Sequence, residues 1–427
     1  MARFPGSRLT PPRLCRQRKL PSSHTALEPE PPVTALRETL DRCHANWMAF
    51  GPPPEDGGVE VPADFAAYEA EYAAIRRFVG LMPVPQRGLL RLTGSEVKDF
   101  LNRLVTQDIA AMKGGDTRRS FLLSDKGRIV ADLIIHHGDE DTWLEADRYD
   151  LPDVAQLLDA KLFGEDVAIE DWSDRKAGFQ LHGPASTQLL TALGGDAAAR
   201  PGAMPGTHHV VDLGGVTASV FRHEPCGVLG FGLWCECEDA AGLWDKLIDA
   251  AGYDPEAEVD ADFAEQRREG LRGRPVGWEA FNTARIEAGT PLFHIDFGPD
   301  SLPGETGLLD DTVSFTKGCY LGQEIVARMQ NLGHPKRLTV GFKVKSDALP
   351  VAGTQVLEAG ASDEPARDPA GAKVIGGVTS STASPLLGHA PIGLAVMKWG
   401  KHTPGTTANV AVDGELHEIE ICEPGWL

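Results

Sequence analysis

The segment that most constrains the fold is a pair of β-rich runs around a tight turn. Arg118-Arg119-Ser120-Phe121-Leu122-Leu123 leads into Ser124-Asp125-Lys126-Gly127, and Arg128-Ile129-Val130-Ala131-Asp132-Leu133-Ile134-Ile135-His136-His137 follows. Two such runs joined by a short turn with glycine predict a β-hairpin. Helical spacing precedes it, with Val97, Phe100, Leu101, Leu104 and Val105 falling on one face, and a second helical pattern follows at Leu151, Val154, Leu158 and Leu162. Hairpins interleaved with helices predict an α+β fold rather than a doubly wound parallel one.

The cycle recurs beyond the Gly/Ala/Pro-rich stretch at 194 to 206. A hairpin is expected around Gly214-Gly215, a strand over VLGFGLWCEC, and a helix over DAAGLWDKLIDAAG that Gly252 closes. Another helix runs from Val276 to about Ala288 and stops at Gly289-Thr290-Pro291. Beyond Lys336 short strands separated by Gly, Pro and Asp clusters predict a small antiparallel barrel, with 361 to 369 as an exposed hairpin loop. The expected division is a tail and linker over 1–62, two related halves over 63–195 and 196–335, and the barrel over 336–427.

At 427 residues the chain exceeds one ordinary core. Its formal net charge of -21 argues against nucleic acid or an anionic membrane surface as partner. Seven sparse cysteines argue against a disulfide framework and for a reducing compartment. No apolar run reaches the ~18 residues of a membrane span. The first 27 residues carry six Lys or Arg and no acid. They suit a disordered bacterial tail in a cytoplasmic protein; the alternative is a mitochondrial presequence, whose helix Pro5, Pro11, Pro12 and Pro21 would break.

Three places could carry chemistry. Cys319 sits between Lys317-Gly318 and Tyr320; a neighbouring cation favours the thiolate and glycine admits another molecule, yet a lone thiol also serves as inert filling. Asp132 shares a strand face with Val130 and Ile134, so its carboxylate needs a partner, either a ligand with an amidine-like edge or an internal arginine such as Arg128. His223, Cys226, Cys235 and Cys237 could hold a soft metal, but their place in an apolar strand favours core. Phosphate loops and a GxSxG nucleophile are absent from the sequence.

The run Lys317-Gly318-Cys319-Tyr320-Leu321-Gly322-Gln323-Glu324, followed by Arg328, resembles the K-G-C-[FY]-x-G-Q-E motif of the YgfZ family. These are folate-binding proteins that support iron–sulfur enzymes and are related to the glycine-cleavage T-protein. Arg285-Ile286-Glu287-Ala288-Gly289-Thr290-Pro291 and Leu302-Pro303-Gly304-Glu305 look like the family's R-x-E-x-G-x-P and L-P-x-E elements. The resemblance implies a ring-like body around a central folate pocket with the barrel packed on it. Tetrahydrofolate, or a one-carbon derivative, would be the cofactor, with Asp132 recognising the pterin and Arg285, Tyr320, Gln323, Glu324 and Arg328 completing the site. Cys319, tuned by Lys317, would then act as the working thiol.

Three functions compete. The reading taken from the motif is a tetrahydrofolate-binding accessory factor for [4Fe-4S] cluster assembly or repair, with iron–sulfur client enzymes or assembly proteins as partners and no resident metal. The alternative is a folate-dependent aminomethyltransferase of the glycine cleavage system. Against it, CGVLGFGLWCE lacks the T-protein's G-Y-T-G-E element and Leu144-Glu145-Ala146-Asp147-Arg148 lacks its asparagine. The third is a folate-dependent scaffold with no need of the thiol.

Overall fold

A computed structural model describes residues 32–203, 205–256, 271–359 and 373–427. The basic N-terminal run and the acidic 361 to 369 stretch lie outside them. The expected hairpin forms: Asp116–Leu123 pairs antiparallel with Ile129–His137, and Gly127 takes the left-handed conformation that the turn requires (φ 69°). Alternation puts Ile129, Ala131, Leu133 and Ile135 into the core and leaves Val130, Asp132 and Ile134 half-buried on the other face.

This hairpin begins a five-stranded sheet that continues through Asp141–Asp147, Arg87–Thr93 and Ala168–Asp171. A six-stranded sheet runs His208–Asp212, Thr217–Arg222, Gly230–Glu236, Lys176–His182, Gly80–Pro83 and Arg274–Pro275. Sheet membership therefore does not follow the expected boundary at 195, because Gly80–Pro83 and Lys176–His182 pair with each other inside the second sheet. Helices Val97–Asn102 and Leu151–Asp159 cover the first sheet, and Ala240–Ala251, ended by left-handed Gly252, covers the second.

Two expectations need correction. Residues 32 to 62 are not linker: Pro32–Arg42 is a helix, and Asn46–Phe50 pairs with Val59–Asp64 around the proline-rich GPPPEDGG, which is the hairpin's loop. Leu40, Cys43 and Phe65 anchor this segment in the core of the six-stranded sheet. The stretch 194 to 206 is not simply linker either, since the helix Ser186–Ala203 runs into it across a kink at Gly195.

The C-terminal strands close a six-stranded antiparallel barrel around Val340, Phe342, Val356, Met397, Val410 and Ile421, as expected. The barrel is joined to the body through the helix Trp278–Glu287. There Arg285, fully buried, donates to Asp296, to Asn282 Oδ1 at 2.9 Å and to Ser380 Oγ at 2.6 Å, while Asp296 also accepts from Thr379 Oγ1 at 2.7 Å. Glu287, two residues on, gathers Arg76, Tyr72 and Ser384. The polar R-x-E residues thus bolt barrel to body.

Candidate functional site

The two sheets and the barrel joint enclose a cavity of about 650 Å³. Phe221, Phe281, Trp278 and Phe293 supply apolar walls, and Arg87, Arg119, Asp132, Asp147, Gln86, Gln180 and His223 supply polar ones. Aromatic surface with a few convergent polar groups is the usual make-up of a small-molecule site.

Asp132 lies in this wall, and an arginine holds it. Arg119 donates from Nε to Oδ1 at 3.0 Å and from Nη2 to Oδ2 at 2.6 Å. The sequence left a ligand and an internal arginine as alternatives; the carboxylate both faces the cavity and is paired. Its partner is Arg119 rather than Arg128, whose guanidinium instead reaches the Asp300 carbonyl.

Behind the wall a buried network links the sheets. Glu145 accepts from Arg87 Nε at 3.1 Å and from Trp234 Nε1 at 2.9 Å, and faces His136 Nε2 at 3.4 Å. Burial pushes the Glu145 carboxyl up, but Arg87 and His136 outweigh it and hold it at about 2. Thr117 Oγ1 lies between His136 Nδ1 and His208 Nδ1, at 3.1 and 3.2 Å. Burial lowers His208 and His223 to about 4, so both imidazoles are neutral near pH 7. Among these groups the sequence raised Asp132 as a residue in need of a ligand or an arginine and His223 as a candidate metal ligand. Strand alternation would have placed Arg119 on the cavity face, but Gln86 and Gln180 carry no local signal.

The other expected site residues lie elsewhere. Arg285 is the barrel joint, and none of Lys317, Cys319, Tyr320, Gln323, Glu324 or Arg328 lines the cavity. The motif instead staples a loop to the first sheet. Lys317 Nζ donates to the carbonyls of Val105 and Gln107 at 2.8 and 2.7 Å, burial lowering its pKa to about 8. Tyr320 is core, its hydroxyl pushed by burial up to about 12. Leu321 N donates to Arg103 O at 3.0 Å, and left-handed Gly322 sits so close to the hairpin turn that a Cβ would meet Ser124 O at 2.8 Å. Glu324 and Arg328 form an exposed pair one helical turn apart, and Gln323 opens that helix. Cys319 is exposed at the surface. The expected working thiol beside the pterin is therefore not what the geometry provides: these side chains turn into the loop's own anchoring or outward to solvent.

Cys235, on the strand Gly230–Glu236, and Cys226, in the turn before it rather than on the strand, are both buried, and burial pushes both thiols up to about 12. Among the described residues one His/Cys/Asp/Glu group is close enough to hold an ion: Asp147, Asp150 and His294. Arg87 already donates to Asp147 at 3.0 Å, and His294 Nε2 pairs with Asp150 at 2.9 Å.

An α+β body with two sheets, a closed barrel and a cavity enclosed by them defines a T-protein-like class of fold. The chain belongs to the glycine-cleavage T-protein family: the GCVT N-terminal domain matches residues 42–317 and the glycine cleavage T-protein C-terminal barrel domain matches residues 337–426. Members of this family use tetrahydrofolate as a one-carbon acceptor, in keeping with the expected cofactor. The aminomethyltransferase of Geobacillus kaustophilus (strain HTA426) is 29% identical over 391 residues, covering 91% of this chain and 94% of that protein. That of Bacillus subtilis (strain 168) is 28% identical over 370 residues, covering 86% and 92%. The crystal structure of glycine cleavage system aminomethyltransferase T from Bartonella henselae superposes with a TM-score of 0.75 at 21% identity, covering 92% of this chain and 97% of that one. That likeness is one of fold.

These relatives overturn the iron–sulfur reading. It rested on short motifs and on the missing G-Y-T-G-E element and asparagine, whereas the relatives match nearly the whole chain and are named for aminomethyl transfer. Nothing in them supports iron–sulfur clients as partners.

Proposed function

We propose that this protein is a folate-dependent aminomethyltransferase, transferring a one-carbon unit from an aminomethyl donor to tetrahydrofolate in the bacterial cytoplasm. The observation that carries the proposal is the cavity carboxylate of Asp132, set on a sheet face among aromatic walls. A carboxylate has about four acceptor sites, so the Arg119 fork leaves capacity for a ligand donor. The similarity to aminomethyltransferases over most of the chain supports the same reading.

Asp132, positioned by Arg119, orients the nitrogen-bearing ring system, and the apolar walls hold the ring and exclude water. The missing G-Y-T-G-E element and asparagine mean that other polar groups of this cavity take over orientation. A likeness to the YgfZ branch persists in the K-G-C-Y-L-G-Q-E motif, from which this reading takes the loop staple alone. No helix among the described residues is long and apolar enough to cross a membrane.

The test is complementation. A bacterium deleted for its own glycine-cleavage aminomethyltransferase and dependent on glycine for one-carbon units should grow when supplied with this chain, and should not grow with Asp132→Asn. Failure of the wild-type chain, expressed and folded, contradicts the proposal.

A further inference from the structure

His223 opens on the cavity with its ring uncommitted. It follows the strand Thr217–Arg222, its backbone N–H donates to the Gly230 carbonyl at 3.0 Å, and its ring lies 6.0 Å from that of Phe221, tilted by 52°. Neither ring nitrogen hydrogen-bonds to a described residue, and both keep accessible surface. The sequence grouped this histidine with Cys226 and Cys235, but those thiols are buried while His223 lines the cavity.

The imidazoles around it are committed. His136 sits between Thr117 and Glu145, His208 bonds to Thr117, and His182 bonds to Gln180. Of the wall's carboxylates, Asp132 is held by Arg119, Asp147 by Arg87 and Glu224 by Arg222, and Asp311 is solvent-exposed. Burial, helped by the charges of Arg87 and Arg119 and by His136, outweighs Glu145 and holds the His223 ring at about 4. Near pH 7 the ring is therefore a free base whose conjugate acid gives up its proton readily. Arg119, which grips Asp132, also acts on this ring by its charge, so the histidine and that carboxylate share one part of the cavity.

We propose that His223 is a catalytic residue of the transfer, the base that relays protons from the folate nitrogens to the two leaving groups. This rests on the aminomethyltransferase reading. His223 takes the proton of one folate N–H as that nitrogen bonds to the methylene carbon. The bond from carbon to the rest of the donor breaks, its electron pair leaves with the donor, and His223 hands the proton to it. His223 then takes the proton of the second folate N–H as that nitrogen bonds to the same carbon. The bond from carbon to the amine breaks, its pair stays on the departing nitrogen, and the relayed proton completes ammonia. The ring ends neutral after each step, and no oxidant or further reactant is consumed.

The test uses the full chain with His223→Ala and His223→Gln in a reconstituted glycine-cleavage reaction. Ammonia release gives the rate, and calorimetry gives tetrahydrofolate affinity. A positioned base contributes about 10²–10⁴-fold, so both variants should release ammonia at least ~100-fold more slowly. Tetrahydrofolate affinity should stay within about threefold of the wild type. Added imidazole should restore part of the rate to His223→Ala, in proportion to its free-base fraction, and none to His223→Gln, whose side chain fills the space. The glutamine variant, closer in size, reads the role even if the alanine variant folds poorly. Release near the wild-type rate in either folded variant overturns the proposal. So does loss of tetrahydrofolate affinity in step with the rate, or a failure of imidazole to rescue folded His223→Ala. A wild type that binds tetrahydrofolate but releases no ammonia removes the transferase reading and this role together.

Discussion

Arg119 grips Asp132 along one edge of the carboxylate, Nη2 to Oδ2 at 2.6 Å and Nε to Oδ1 at 3.0 Å, and both side chains face the cavity. A bidentate arginine fixes the plane of the carboxylate, so the oxygens' remaining lone pairs point in defined directions. Asp132→Asn keeps the shape and removes the charge. Tetrahydrofolate affinity, measured by calorimetry, should fall about tenfold or more, since a hydrogen bond to a charged group is worth roughly 1.5–3 kcal/mol. Arg119→Met should weaken binding as well, because the carboxylate loses its orientation. If the double variant binds no worse than either single one, the two residues act as a unit.

Arg285 and Asp296 are both fully buried and bonded into the barrel strand at Ser380. Removing one member of such a pair strands the other charge, at a cost of about 3–5 kcal/mol. Arg285→Met should lower the stability of the folded chain in urea by that order. At urea concentrations where the variant is folded, its tetrahydrofolate affinity should match the wild type, because Arg285 does not line the cavity.

Cys319 is exposed, whereas burial pushes the thiols of Cys226 and Cys235 up to about 12. Alkylation followed by peptide mapping should therefore label Cys319 in the native chain before either buried cysteine, which should react only on unfolding. Cys319→Ser should leave tetrahydrofolate affinity and aminomethyl transfer unchanged.

His182, His208 and His223 are held by burial at about 3, 4 and 4, against an ordinary value of 6.5. The unfolded chain thus binds more protons than the folded one between about pH 4 and 6.5, and stability rises with pH across that window. Their contribution is present in full above pH 6.5 and lost as pH falls toward 4. The melting temperature should drop through this range, and His208→Asn should make the drop shallower.

Much of the fold was legible because it is written in local rules. The hairpin at Gly127, the helix ended by Gly252 and the short barrel strands follow from periodicity and turn chemistry. The segment 32 to 64 was not, because its prolines and glycines mark a loop as readily as a linker, and only tertiary burial of Leu40, Cys43 and Phe65 separates the two. At the site, alternation brought Asp132 to the right face, but the partner required the pairing register, which a bulge at Leu122/Leu123 shifts. Motif residues fared differently. Arg285, Lys317 and Gly322 hold chain segments together, and a sequence pattern does not distinguish a residue that holds a ligand from one that holds a loop.

Reconstitution measures aminomethyl transfer to tetrahydrofolate directly. The purified chain would replace the aminomethyltransferase in a glycine-cleavage reaction supplied with its other components, with ammonia release followed with and without tetrahydrofolate. Release should require both the chain and tetrahydrofolate and should collapse with Asp132→Asn. Tetrahydrofolate binding without any release above the reaction lacking the chain would contradict it.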